Sequence, residues 1–485
     1  MGNYLLKRLL LMIPTLVGIS LVVFVIMVAA PGRPGEKAQS FGEQNPSADP
    51  TKEKSKGESQ RLFRRQFALD RPVFWNYYPW LGRADVQAAV KTASEPVEAS
   101  SVKAKREAKE RLEDWGYFAV PSLVEILRTP GLAPQAQSDA LYWLRANATR
   151  LAVQPYGRTL DEATLRQNDE WIAENARLSK WGWRRDDPPE RRAEVIGLWS
   201  AWYEENRARW PAGATSRVVT GLFDTQFATY WNNLLHLDFG ISHVHKRPVL
   251  TLIGERLPIT ILLSGLATLI AYFLAIPLGI LSAVRPYTRT DRVMTVTLFL
   301  LYSLPSFFIG TVVLQALTIG QPWKWFPNSG WRGEGAFGLD TWAQLRDILW
   351  HITLPLVVST YGGLAALSRY ARTGMLDVVR SDYVRTARAK GLSEGTVILR
   401  HAARNGMMPV VTLLGGILPS LIGGSVFVEY VFNIQGMGLL TIEAITSRDY
   451  NIIMAESLIV AVLTLVGILI SDLLYAAMDP RISFK

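Results

Sequence analysis

Hydrophobic positions along the chain fall into two regimes. From about residue 33 to 255, short apolar stretches are interrupted by charge, Trp and Pro, whereas 257–478 is dominated by long apolar runs with little charge. Crossing ~30 Å of hydrocarbon takes ~20 apolar residues at a rise of ~1.5 Å each. Six stretches reach that length: Leu9–Ala30, Ile259–Val284, Val293–Ile319, His351–Ala371, Met408–Val428 and Ile453–Ala477. The first exceeds the ~7–15-residue apolar core of a cleaved signal, and Pro31 follows its only small-residue site, Ala29-Ala30, so it reads as a retained span. The expected fold class is all-α: a polytopic membrane protein with six transmembrane helices.

The charged loops orient these spans. Arg285, Arg289 and Arg292 fill one short loop, Arg380, Arg385, Arg388, Lys390 and Arg400 another, and Arg481 and Lys485 the tail. Six crossings put all of them on the side of Lys7 and Arg8, which the positive-inside rule assigns to the cytoplasm, with both termini. The same parity places residues 31–256 outside. Their positive charge is no objection, since long loops translocate largely regardless of charge. Gln321–Trp350 and Glu429–Asn451 are the other outer loops.

The predicted organisation is a first transmembrane helix (1–32), an external linker region (33–82), an external helical insertion (83–225), a segment leading to the second span (226–256), and a five-helix membrane domain (257–485) with an inner loop at 373–406. Arg33–Gly57, rich in Gly, Ser, Pro and Lys, reads as a flexible linker. In the insertion, Leu123, Val124, Ile126 and Leu127 precede Ala136, Ala140, Leu144 and Ala148 at helical spacing. That pair of short helices resembles a HEAT repeat, although such arrays need about three units to bury their faces. Glu190–Trp210 predicts a further helix with Val195, Trp199 and Trp202 on one side. The insertion either contacts a partner at the outer mouth or packs there as a cap.

Composition removes several functions. The formal charge of +10 is scattered through the long loop and bunched in short loops, not gathered into the stripe that nucleic acid requires. With no Cys there are no disulfides, thiolate metal sites or Cys nucleophiles. No Gly-Lys dipeptide occurs, so no Walker-type phosphate loop is present, and there is no His-Glu-x-x-His. His243-Val-His245 offers two metal donors without a third; a solvated loop is the plainer reading. The span interiors hold almost no ionisable groups; Asp472 lies near an inner end, and Glu429 and Glu456 lie near outer ends. A mid-membrane ligand for a coupling ion is lacking, which disfavours an ion-coupled carrier.

The most informative stretch is Asp382–Asn405. Tyr383, Ala387 and Lys390 share one helical face, Gly391 suits a left-handed helix end, and Ser393 suits the N-cap of a second helix with Glu394 in its first turn. A basic helical hairpin at the membrane surface is a docking element by shape. These residues resemble the ATPase-coupling loop of binding-protein-dependent ABC importer permeases, in the dipeptide, oligopeptide and nickel group. Arg385-Thr386-Ala387 stands where the general pattern has Glu-Ala-Ala, Gly391 matches, and His401-Ala402-Ala403-Arg404 stands where it has Ile-x-Leu-Pro. Leu69-Asp70-Arg71-Pro72, Asp238-Phe239-Gly240, Glu255-Arg256-Leu257-Pro258, Leu304-Pro305-Ser306-Phe307-Phe308, Phe326-Pro327-Asn328-Ser329-Gly330 and Asp479-Pro480-Arg481 follow the family in order. So does Phe432…Gly436-Met437-Gly438, with Gln435 where the family often has Pro.

The resemblance implies a permease subunit in a bacterial inner membrane, carrying peptides or similar solutes. Its implied partners are a second permease, two ATP-binding subunits, an external solute-binding protein and membrane lipid, with no nucleic acid. It implies no cofactor on this chain, with ATP and Mg bound by the ATPase subunits, and no catalytic residue or metal. Arg385, Thr386, Ala387, Gly391, Leu392, Ser393 and His401 are the expected coupling residues. Tyr430, Phe432, Gly436, Met437 and Gly438, with Phe427, are either an outer gate or interfacial aromatics and their turn. The rival readings are a membrane-anchored external binding or sensor module, for which six spans are excessive, and the ion-coupled carrier.

Overall fold

The computed structural model describes residues 2–29, 69–95, 101–132, 134–153, 159–184, 187–211, 213–319, 325–423 and 426–478. Among them every regular element is a helix. Arg33–Gly57, Asp479-Pro480-Arg481 and Lys485 lie outside the described residues. The chain divides into two compact units, one of Met1–Gly42 with Phe239–Lys485 and one of Glu43–Asp238.

The first unit opens with α1 (Gly2–Ala29), an almost uncharged apolar helix. The Glu43–Asp238 unit then carries α2 (Arg83–Ser94), α3 (Val102–Trp115), α4 (Val120–Leu127), α5 (Pro134–Ala148), α6 (Glu162–Leu178), α7 (Pro189–Glu205), α8 (Ala214–Phe223) and α9 (Gln226–Leu235). Side-chain caps start three of them: Ser101, Asp161 and Thr225 accept from the amides of Ala104, Thr164 and Ala228. Leu123, Val124, Ile126 and Leu127 are buried, as are Ala140, Leu144 and Ala148, in a core shared with Val195, Trp199 and Trp202. Trp199 stands edge-on to both Trp181 and Trp202, with ring centroids 5.6 and 5.5 Å away. The helix expected over Glu190–Trp210 ends at Glu205, and a short 3₁₀ turn covers Arg207–Arg209. Residues 72–76 are laced to 221–227 by backbone bonds: the Asn76, Gln226 and Phe227 amides donate to Gly221, Pro72 and Val73.

The first unit resumes with α10 (Val249–Val284), α11 (Arg289–Ser303), α12 (Ser306–Leu314), α13 (Thr341–Val379), α14 (Asp382–Ala389), short helical turns to Val431, α15 (Met437–Ser447) and α16 (Tyr450–Met478). Among the described residues, five helical segments are long and apolar enough to cross a membrane, or six if the bent pair α11–α12 is one span. The expected Val293–Ile319 span is that pair, turned by 90°. Pro305 has no amide hydrogen and drives Leu304 out of the helical region, to φ −94° and ψ 125°. The Leu304 carbonyl so released accepts from the Tyr361 hydroxyl at 2.9 Å. The expected Met408–Val428 span is likewise segmented, with a 3₁₀ turn at Leu413–Gly416.

α10 and α13 overrun the expected Ile259–Val284 and His351–Ala371, because polar and charged turns extend each helix beyond its apolar window. Their small residues Ala271, Ala275 and Ala371 are buried where the two pack, the usual way for membrane helices to approach closely. Arg8 of α1 pairs with Asp472 of α16 at 2.9 Å.

Candidate functional site

The expected coupling residues form a hairpin with a packed base and an exposed tip. On α14, Val384 and Ala387 turn inward and join Val397, Ile398 and Ala402 of the return arm against Ala283 of α10 and Met375 of α13. Of the residues expected to share a face, Tyr383, Ala387 and Lys390, only Ala387 is buried. Tyr383 and Lys390 are exposed, because the hydrophobic partner three residues before Ala387 is Val384. Gly391 closes the first arm at φ +77°, a conformation L side chains rarely adopt. Ser393 takes the N-cap position without bonding the backbone; its hydroxyl pairs with that of Thr396 at 2.8 Å. Arg385, Thr386, Leu392 and Ser393 are exposed, and His401 is half-buried.

Two contacts brace the arms. The Arg388 guanidinium donates to Glu394 at 2.8 Å across the break, and Asn405 Nδ2 donates to the Tyr383 hydroxyl at 3.0 Å. The hydrogen bond from Arg388 holds the Glu394 carboxyl below the usual carboxylate range, and raises Arg388 in turn. The return arm widens into a π turn at Val397–Ala402. The sequence Gly391-Leu392-Ser393-Glu394-Gly395 has the spacing of a hydrolase nucleophile elbow. It joins two helices, however, where an elbow needs a strand, and among the described residues the Ser393 side chain bonds only Thr396.

Sequence reasoning missed the support immediately above this base. Asp291, in the first turn of α11, is buried and receives Arg372 of α13: Nη2 donates to Oδ2 at 3.1 Å and Nε to Oδ1 at 3.2 Å. Ser282 of α10 donates to the same carboxylate and accepts from Arg372 Nε at 2.8 Å. The Tyr287 amide adds a bond at 2.9 Å. One carboxylate therefore ties three helices together beside the hairpin. The acid stood in a loop recognised only for its arginines.

The other cluster is built around Glu429. Thr260 lies 22 positions (282 − 260) before Ser282 on α10, ~33 Å along the helix axis. Its hydroxyl donates to Glu429 Oε1 at 2.9 Å and accepts from the Met437 amide at 2.7 Å. Glu429 Oε2 accepts from the Gly438 and Leu439 amides at 2.6 and 3.2 Å, so the carboxylate caps α15. A Cβ at Gly436 would collide with Glu429 and Thr260, which explains glycine there. The candidate gate residues divide: Phe432 and Met437 are buried, Gly436 and Gly438 line the cap, and Tyr430 and Phe427 are exposed. Gln435 accepts from Arg256.

His243 is buried and His245 Nε2 lies 4.0 Å from Glu443. Burial pushes the His243 imidazole down to about 4, with Asp449 opposing and Lys246 reinforcing the shift. Among the described residues no three His, Cys, Asp or Glu converge as a metal site.

Comparison with known proteins places these features in a context. Residues 275–484 match the family model described as the inner membrane component of binding-protein-dependent transport systems. The oligopeptide transport system permease protein AppB of Bacillus subtilis is 43% identical over 268 residues, covering 54% of this chain and 83% of that protein. The dipeptide transport system permease protein DppB of Lactococcus lactis is 34% identical over 258 residues, covering 53% and 80%. The inner membrane ABC transporter permease protein YejB of Escherichia coli O157:H7 is 35% identical over 265 residues, covering 54% and 72%.

Proposed function

The chain belongs to the family of inner membrane components of binding-protein-dependent transport systems, and from that premise we propose that it carries peptides or similar small solutes as one half of an ABC importer's path. It is a multi-pass permease and not an enzyme. Its partners are a second permease, two ATP-binding subunits that hold ATP and Mg, and an external binding protein that delivers solute. Both termini and the 373–406 loop face the cytoplasm, and residues 31–256, with the 83–225 insertion, lie outside. The Arg8–Asp472 pair supports this topology, since it sets the start of α1 beside the end of α16.

The observation that carries the reading is the hairpin, an exposed basic tip on a base packed against the ends of α10 and α13. A push on Arg385, Thr386 and Gly391–Ser393 reaches both long helices directly. Packed interfaces of this kind switch between discrete arrangements, which suits alternating access. Relatives named for peptides supply the solute class.

Purification in mild detergent with nucleotide, followed by mass spectrometry, tests the assembly. Recovery of a second permease and ATP-binding subunits is expected. Recovery of the chain alone under every condition would overturn it. Reconstituted uptake, requiring ATP and the binding protein, then tests the solute class with a peptide library.

A further inference from the structure

The Glu43–Asp238 unit carries an apolar surface that its own core does not use. On α8, Val218, Val219, Leu222 and Phe223 fall at i, i+1, i+4 and i+5, one stripe of the helix. Such a stripe ordinarily faces the core. Here all four side chains are exposed, Phe223 by 70%, while Gly221 on the other side lies against Trp80 and the Asn76 carbonyl. The next helix, α9, ends on Leu235, which is 75% exposed. Trp75 and Trp80 are also exposed and stack on each other with centroids 5.5 Å apart. Backbone bonds between residues 72–76 and 221–227 tie these elements together.

Charge and connectivity identify what covers it. Across Ala214–Phe223 and Gln226–Leu235 the only charged residue is Arg217, whereas α3, α6 and α7 of the same unit are densely charged. Exposed apolar area concentrated in this way marks an interaction site. Residues 236–248 connect α9 to α10, a helix long and apolar enough to cross a membrane. Tryptophans concentrate at headgroup depth, and uncharged apolar helix faces lie at the headgroup–acyl boundary. We infer that this surface docks on the lipid bilayer, with α8 lying in the interface plane and Trp75 and Trp80 at headgroup level. The unit is thereby held against the membrane whichever solute the permease carries.

The cysteine-free chain suits a direct test. Single variants Phe223→Cys, Leu235→Cys, Val102→Cys and Ile13→Cys of the full chain would carry an environment-sensitive fluorophore in phosphatidylcholine–phosphatidylglycerol proteoliposomes. Docking predicts blue-shifted emission at 223 and 235, loss of emission to a lipid-borne nitroxide, and none to iodide. Val102, on charged α3, should lose emission to iodide only. Ile13, exposed on apolar α1, should respond to the lipid quencher and so reports insertion independently. Iodide quenching at 223 and 235 while Ile13 remains lipid-quenched would overturn the inference. Protection from both quenchers would also overturn it, by assigning the surface to a protein.

Discussion

At the scale of single residues, three positions carry conditions that their neighbours impose. Gly391, at φ +77°, cannot become proline, whose φ stays near −65°, and another L residue there costs ~1–2 kcal/mol. Gly391→Pro should insert normally and lose ATP-driven uptake, while Gly391→Asn, which tolerates the left-handed region, should retain most of it. Membrane fractionation beside an uptake assay separates the two effects. Glu429→Ala would strand the Thr260 hydroxyl and the Gly438 and Leu439 amides, at about 1–3 kcal/mol for each donor left unmet. Thermal unfolding of purified protein should fall clearly for Glu429→Ala and less for Glu429→Gln, which keeps an acceptor oxygen. His243 provides a pH dependence. Its folded value is about 4, against ~6.5 when unfolded. Between those values the unfolded chain binds a proton that the folded chain does not, so stability is full above that window and declines as pH falls through it. Amide exchange over residues 241–249, corrected for intrinsic rates, should be faster at low pH, and His243→Gln should flatten the trend.

At the scale of elements, the bonds around Asp291 make α10, α11 and α13 one body next to the hairpin. Removing one partner of a buried pair leaves the other charge uncompensated, and is typically worth about 3–5 kcal/mol. Asp291 is buried but Arg372 is 29% exposed, so the low end, about 3 kcal/mol, is expected for Asp291→Ala. The double variant Asp291→Ala/Arg372→Leu should recover part of that loss, as thermal unfolding can measure. A greater loss in the double variant would mean that Arg372 acts through contacts other than the pair. Further along the chain, the turn at Leu304-Pro305 is braced by Tyr361 from α13.

At the scale of the whole molecule, the insertion can be removed only along lines the structure permits. Cutting at Arg83 and Thr225 would take away Gly221 and Asp224, which bond Asn76 and Arg71. Deleting Arg83–Gly213 behind a short Gly-Ser linker keeps α8 and α9 with their partners. If the insertion engages the external binding protein, this variant should insert normally but lose binding-protein-dependent uptake. Wild-type uptake would reduce the insertion to a structural cap.

Long apolar runs and their charged loops made the all-helical, many-span character legible from composition and periodicity alone, because a membrane core forces local backbone satisfaction on about twenty residues at a time. Local signals of the same kind marked Gly391 as a helix end and Val195, Trp199 and Trp202 as a buried face. What needed the tertiary structure were relations between distant residues. Asp291 meets Arg372 across 81 positions and Thr260 meets Glu429 across 169, and neither partner has a local pattern that names the other. Val384 and Ala387 turn inward on α14 because Ala283 and Met375 lie beneath them. The stripe on α8 reads as ordinary amphipathicity in sequence, and only the packed unit reveals that it points away from the core. Period fixes which residues share a face, but the direction of that face depends on neighbours brought from elsewhere in the chain.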